Sequence, residues 1–311
     1  MYTNTIHILR HHDLLSTQDI NNFLLKIDQQ PIYKRRKLLN LKSQNEPYPH
    51  FIYKFLPLTP DKTKDVEHLS NYLVESRLWL SSPASFNDPF GMRCRYIFEG
   101  KSLDKRKHLD NRFKMLDPNL PKKEREKIIS NSLTSKQPLT ETLENIHEQH
   151  IKENGVCCFS EDTRNFLMWS HYGSNHTGIS LQFQIAQDML IFTHANKVKY
   201  SDEYPVIDYL KNNDLNKAMA QTLFHKSGDW AYEEERRIIH PNGANSYLQF
   251  NPCALTALIL GCEFKATNVI KTLLNERMQK NYPSIRIFRA IRDKTRYSIY
   301  LQRQRDWTGS H

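Results

Sequence analysis

The sequence predicts an α+β fold whose core is a mainly antiparallel or mixed sheet, with a helical N-terminal segment and a helical insertion. Short runs with strand-like alternation recur from residue 51 to residue 301. Helical stripes lie among them without the strict strand–helix alternation of a parallel sheet. With 311 residues, 39% hydrophobic and 25% charged, the chain can bury one large core.

Residues 1–46 read as a helical accessory segment. Ser16-Thr-Gln-Asp19 has the make-up of a helix start, and Ile20, Phe23, Leu24 and Ile27 recur at three- and four-residue spacing until Gln29-Gln-Pro31. The turn-rich Asn45-Glu-Pro-Tyr-Pro49 opens the main domain, 47–305, and its first strand, Phe51-Ile-Tyr-Lys-Phe55. Val66, Leu69 and Leu73 stripe a helix over 65–76, and Arg77-Leu-Trp-Leu-Ser81 follows as a strand. A breaker-rich loop fills 82–91. Residues 101–154, polar and punctuated by Pro118, Pro121 and Pro138, read as two or three inserted helices. Strands are expected at 155–160, 178–183 and 197–200, a helix at 208–226 and a strand at 233–239. Beyond these come a buried strand at 255–260, a helix at 267–278, strands at 284–290 and 296–301, and a tail at 306–311.

No window approaches the roughly 18 apolar residues of a membrane span, and the N-terminus has no export-signal pattern, so a cytoplasmic protein away from membranes is expected. Five cysteines with one adjacent pair suit reduced thiols, and the spacings of a metal site are absent. The 44 basic residues exceed the 34 acidic ones, giving a net charge of +10. Between 265 and 305 eleven Lys and Arg face only Glu276 and Asp293. That tail suits a polyanion, or an acidic antitoxin or chaperone; the plainer reading of the charge is solubility.

Three constellations could carry chemistry. In Lys226-Ser-Gly-Asp-Trp-Ala-Tyr-Glu-Glu-Glu-Arg-Arg-Ile-Ile239, strand periodicity sends Glu233, Glu235 and Arg237 to one face, where Arg237 would offset two carboxylates. An edge strand with ordinary cross-strand ion pairs is the alternative. The run 158–178 gathers Trp169, His171, Tyr172 and His176, rings suited to stacking on a heterocycle. Its Arg164 and His171 also match the loose pattern of the HEPN ribonucleases, although flanking strands contradict that all-helical fold. In Ser82-Pro-Ala-Ser-Phe-Asn-Asp-Pro-Phe90, Asn87 and Asp88 could cap backbone or hold a ligand's hydroxyls. No Gly-x-x-x-x-Gly-Lys loop, Gly-x-Gly-x-x-Gly fingerprint or Gly-x-Ser-x-Gly elbow occurs, which argues against ordinary triphosphatases, Rossmann dehydrogenases and α/β-hydrolases.

Taken in order, Tyr53-Lys-Phe55, Leu78-Trp-Leu-Ser-x-Pro-x-x-Phe-Asn-Asp-Pro-Phe90, Gly155-Val-x-Cys-Phe-Ser160, Met168-Trp-Ser-His-Tyr172 with His176-x-Gly178, and Trp230-x-x-Glu-x-Glu-x-Arg237 resemble DUF2971, a bacterial family often found near phage-defence genes. The resemblance spans roughly residues 50 to 300. Its layout is similar to the ADP-ribosyltransferases, which implies an ADP-ribosyltransferase-like sheet and NAD as co-substrate. On that resemblance Tyr53 and Lys54 lie on the first strand and Ser81 or Ser160 lies near the nicotinamide. Glu235 is then the catalytic glutamate and Glu233 its partner. The chain lacks an Arg or His on the first strand and a Ser-Thr-Ser. Asn87, Asp88, Trp169, His171, Tyr172 and Arg237 complete the candidate NAD contacts. The implied activity is a toxin-like transfer of ADP-ribose to RNA or DNA in phage defence or a toxin–antitoxin pair. A metal-dependent nuclease using Asp88, Glu233 and Glu235, the HEPN-like variant and a non-catalytic nucleic-acid-binding protein are the alternatives.

Overall fold

The computed structural model describes residues 22, 26–27, 29–40, 48–59, 62–135, 138–212 and 215–305. The expected helix start at 16–19, the stripe residues Ile20, Phe23 and Leu24, and the tail 306–311 lie outside them. An eight-stranded sheet organises the chain. Its strands are β1 Phe51–Leu56, β2 Gly155–Ser160, β3 Ile179–Gln184, β4 Asn196–Lys197, β5 Glu235–His240, β6 Leu255–Leu260, β7 Arg286–Arg292 and β8 Ile299–Gln304. They lie in the order β8-β7-β6-β3-β1-β2-β5-β4, antiparallel except for the β6–β7 pair. The expected mixed, mostly antiparallel α+β sheet is what forms.

Alternation along the strands separates two faces. On one, Ile52, Leu56, Phe159, Leu181, Phe183, Leu258 and Leu260 form the main core with Leu69, Tyr72 and Leu73 of helix α2 (Thr63–Leu73). Ile270 and Leu273 of helix α8 (Thr267–Gln279) complete it. At roughly 1.5–3 kcal/mol per fully buried aliphatic or aromatic side chain, this face supplies most of the driving force. The other face packs Phe55, Ile259, Ala290 and Ile299 under Met168 and Trp169 of helix α6 (Phe166–His171). Helix α1 (Ile32–Asn40) precedes the sheet, and α7 spans Leu215–Thr222. Residues 101–154 carry three helices, α3 Ser102–Leu116, α4 Lys122–Thr134 and α5 Leu139–Ile151, with their own cluster around Tyr96, Phe98, Leu109, Ile129 and Tyr209.

Several expectations need correction. Glu233 is not on a strand: a 3₁₀ turn covers Gly228–Glu233, Glu234 is left-handed at φ 45°, and β5 begins at Glu235. The strand expected at 77–81 forms as Arg77–Leu80 and ends one residue earlier, pairing with Ser246–Gln249 outside the main sheet. Residues 208–226 hold a shorter helix, because Val206–Asp208 is a strand pairing with Arg95–Ile97. Residues 197–200 are split, Asn196–Lys197 pairing with β5 and Lys199–Tyr200 with His225–Lys226.

One irregularity shapes the site. β1 and β2 pair at Tyr53 and Ser160 alone, and beyond that point the sheet divides. Ser81, following Arg77–Leu80, fills the divide by exchanging both backbone hydrogen bonds with Val156, at 3.0 and 2.9 Å. Lys54 starts from the main-core face and sends its ammonium into the gap, donating to the Cys158 carbonyl at 3.0 Å.

Candidate functional site

Register places Tyr53, Ser160 and Glu235 side by side on one face, since Tyr53 opposes Ser160 and Ser160 opposes Glu235. Arg237 opposes Cys158 one row along. A cavity of about 370 Å³ stands on this patch. Its roof is the loop after Arg77–Leu80, through Pro83, Phe86, Asn87, Asp88 and Met92. Its side wall is α6, with Met168, His171 and Tyr172. Ser82 fixes the roof by accepting from the Ala84 amide and donating to the Lys152 carbonyl at 2.7 Å, which ties the loop to the end of α5.

The floor is ionic. Arg237 donates to both oxygens of Glu235, Nε to Oε1 at 2.8 Å and the second guanidinium nitrogen to Oε2 at 2.9 Å. Its remaining nitrogen donates to the Leu223 carbonyl at 2.5 Å. Lys226 Nζ lies 2.5 Å from Glu233 Oε2 and 3.5 Å from Glu235 Oε2, so it bridges the carboxylates. Tyr172 donates its hydroxyl to Glu233 Oε1 at 2.6 Å. Glu234, left-handed at φ 45°, joins the 3₁₀ turn to β5, so Glu233 reaches the ionic floor from the turn while Glu235 and Arg237 reach it from the strand.

These contacts drive the two carboxyls apart. Burial opposes the Glu235 charge, but the Arg237 guanidinium and the Lys226 ammonium outweigh it and hold the pKa at about 2. For Glu233 burial dominates; with the Glu235 charge it raises the pKa above the usual 4.5 despite Lys226 and Tyr172. A carboxyl held toward its ionised form and one pushed toward its protonated form therefore share the floor, the arrangement from which acid–base roles are assigned. Burial and the adjacent Glu233 push the Tyr172 phenol well up, so it stays a donor.

Of the residues singled out in the sequence, Tyr53, Lys54, Asn87, Asp88, His171, Tyr172, Glu233, Glu235 and Arg237 line the cavity. Ser81 and Trp169 do not. The Ser81 backbone is engaged with Val156, and Trp169 is fully buried, stacked edge-on against Phe55 at 5.0 Å and donating Nε1 to the Thr163 carbonyl. Trp169 supports the wall from behind, so its assignment as a ligand contact is corrected. Arg164 of the HEPN-like pair lies outside the cavity, exposed and paired with Asp162 at 3.4 Å. Lys226 opens the quoted motif, but only the turn at Gly228–Glu233 carries it back to Glu233, seven residues on, so nothing in the sequence marks it as part of the site. Exposed His171 stands at the mouth within 6.4 Å of the Trp230 and Tyr232 rings. Among the described residues no group of three or more His, Cys, Asp or Glu could hold a metal ion, and the two carboxylates are paired with Lys226 and Arg237.

Residues 168–238 match DUF2971, a family of proteins of unknown function. No curated protein and no solved structure matches the chain. The matched stretch runs from Met168 on α6 to Ile238 on β5 and so contains Tyr172, Lys226, Glu233, Glu235 and Arg237. Tyr53, Asn87 and Asp88 come from outside it. The ionic floor and aromatic wall are thus the part this segment encodes, and the roof is added by the preceding chain. No helix among the described residues is long and apolar enough to cross a membrane.

Proposed function

We propose that the cavity is the active site of an ADP-ribosyltransferase that cleaves the nicotinamide–ribose bond of NAD and passes ADP-ribose to a nucleic acid. The observation that carries this reading is the pair of buried carboxyls with opposed pKa shifts, set beneath flat rings. Breaking the bond between ribose C1′ and the nicotinamide nitrogen leaves positive charge on the sugar, and the bonding pair departs with neutral nicotinamide. Glu235 stays ionised throughout. Its oxygens keep lone pairs after Arg237 has bonded them, so it can accept from the ribose hydroxyls and stabilise the developing charge. Glu233, the more basic carboxylate, takes the proton of the attacking hydroxyl or amine as its bond to C1′ forms. Tyr172 and Lys226 hold Glu233 in place.

The cavity volume is near the lower end of the about 300–1,000 Å³ typical of ligand pockets. It suits a ribose with its base, with Tyr53, Phe86 and Tyr172 as apolar walls, and leaves the rest of the dinucleotide to pass the His171–Trp230 rim. Asp88 offers a further acceptor, since its buried Oδ2 has no hydrogen-bond partner among the described residues.

The test is incubation of the protein with adenylate-labelled NAD and RNA or DNA. Label should move to the nucleic acid with release of nicotinamide, and Glu233→Gln should lower kcat by about 10²–10⁴-fold, the usual worth of a general base. Magnesium-dependent strand cleavage without NAD consumption would instead establish a nuclease.

A further inference from the structure

Beyond the cavity, its row of side chains continues across the sheet. Tyr53 opposes Gln182 on β3, Gln182 opposes Ala257 on β6, and Ala257 pairs with Arg286 on β7. Gln182 donates to the Tyr53 hydroxyl at 3.2 Å and accepts from Arg286 at 3.3 Å. Three strand steps of about 4.8 Å put Tyr53 and Arg286 roughly 14 Å apart. Arg286 is also on the lip of a second recess, a groove of about 420 Å³ between α8 and the last two strands.

That groove is one-signed. Lys271, Arg277, Arg286, Arg303 and Arg305 line it, and none of its lining residues is acidic. Other basic residues of the region meet acids outside the groove, Lys280 with Glu75 at 2.9 Å and Arg292 with Glu263 at 3.0 Å. Lys271, Arg303 and Arg305 form no ion pair with a described residue. Arg277 is buried and donates to three backbone carbonyls, those of Leu73, Pro252 and Pro283, so its charge is hydrogen-bonded but has no counter-ion among the described residues. Tyr282, its ring 5.2 Å from that guanidinium, presents an aromatic surface in the same recess. Concentrated positive charge beside a stacking ring is what a flexible polyanion with planar bases requires. A duplex is too wide and stiff to enter a groove of this size.

We infer that the groove seats the phosphodiester backbone of a single-stranded nucleic acid and directs it across the Gln182 row toward the cavity. The inference deepens the transferase reading by locating its acceptor. Its test is binding of the full-length protein to a fluorescent mixed-sequence single-stranded RNA across a salt series. Lys271→Gln/Arg303→Gln/Arg305→Gln should weaken binding by about tenfold or more at low salt. It should also flatten the dependence of log K on log salt by about 2, at about 0.7 per lost phosphate contact on a single strand. Lys280→Gln/Arg292→Gln removes equally exposed charge off the groove and should change little. An unaltered affinity and slope in the triple variant, or an equal loss in the control, overturns the inference. Glu233→Gln should bind RNA normally. Groove-dependent binding without NAD consumption therefore refutes only the chemistry, and NAD-dependent transfer with unchanged binding in the triple variant refutes only the docking.

Discussion

Replacing Glu235 by glutamine leaves the Arg237 guanidinium buried with the Leu223 carbonyl and no anion bonded to it. Removing one partner of a buried ion pair costs about 3–5 kcal/mol, whereas replacing both partners with apolar groups is often neutral. Glu235→Gln should lose about that much in urea unfolding at pH 7, and Glu235→Leu/Arg237→Met should regain most of it; a single variant as stable as the parent would show the pair to be solvated. The pH window follows from the sign of the shift. Glu235 has its folded pKa depressed to about 2, so its contribution is complete above about 4.5 and is lost as pH falls toward 2. Glu233 is shifted the other way, so the acid limb of any Glu233-dependent rate should lie above 4.5 and vanish in Glu233→Gln. A limb that persists in that variant assigns the base elsewhere.

At the level of elements, close packing around β3 explains two glycines. A Cβ on Gly178 would sit 2.5 Å from the Leu56 carbonyl oxygen, and one on Gly261 would collide with the His176 carbonyl oxygen. Gly178→Ala should cost about 1–3 kcal/mol by overpacking, read as a lower urea midpoint with an unchanged slope. An unaltered midpoint would mean the β1–β3 junction can yield. Elements buried on both faces were the most legible in sequence: the apolar run of β6 was placed at 255–260, where it forms. The strand at 77–80 was equally visible, but its partner was not, because pairing is non-local and the Ser246–Gln249 run is weakly patterned. The acids near 235 could be read as a site from composition alone. The element that carries Glu233 could not, since it is a 3₁₀ turn joined to β5 through left-handed Glu234, a position that glycine or asparagine would announce. Lys226 is illegible because the turn at Gly228–Glu233 brings it back beside the acids.

At the scale of the molecule, four of the described histidines have depressed pKa values with burial as the leading cause: His68, lowered to about 4, and His108, His147 and His176. A histidine kept neutral by the fold stabilises it fully above about 6.5, and that stability is lost as pH falls through the folded value. The Tm should therefore be lower at pH 5 than at pH 7, a range in which Glu235 contributes no change. His147 gives the loss a location, because its Nε2 lies 3.3 Å from the Met92 carbonyl and 3.1 Å from the Thr222 hydroxyl, joining α5 to the cavity roof and to α7. Limited proteolysis at pH 5 should cut first within 101–154. Equal Tm values at both pH values would count against this account.

The single β1–β2 contact at Tyr53 and Ser160 has a thermodynamic consequence. Five strands lie on one side of that seam and three on the other, and the Lys54 ammonium takes the place of a rung between them. Native-state deuterium uptake should resolve two cooperative blocks, with amides of β2 and β5 opening at lower free energy than those of β3 and β6. A molecule clamped between Tyr53 and Glu235 would act as a rivet across the join and bring the two blocks to one protection level.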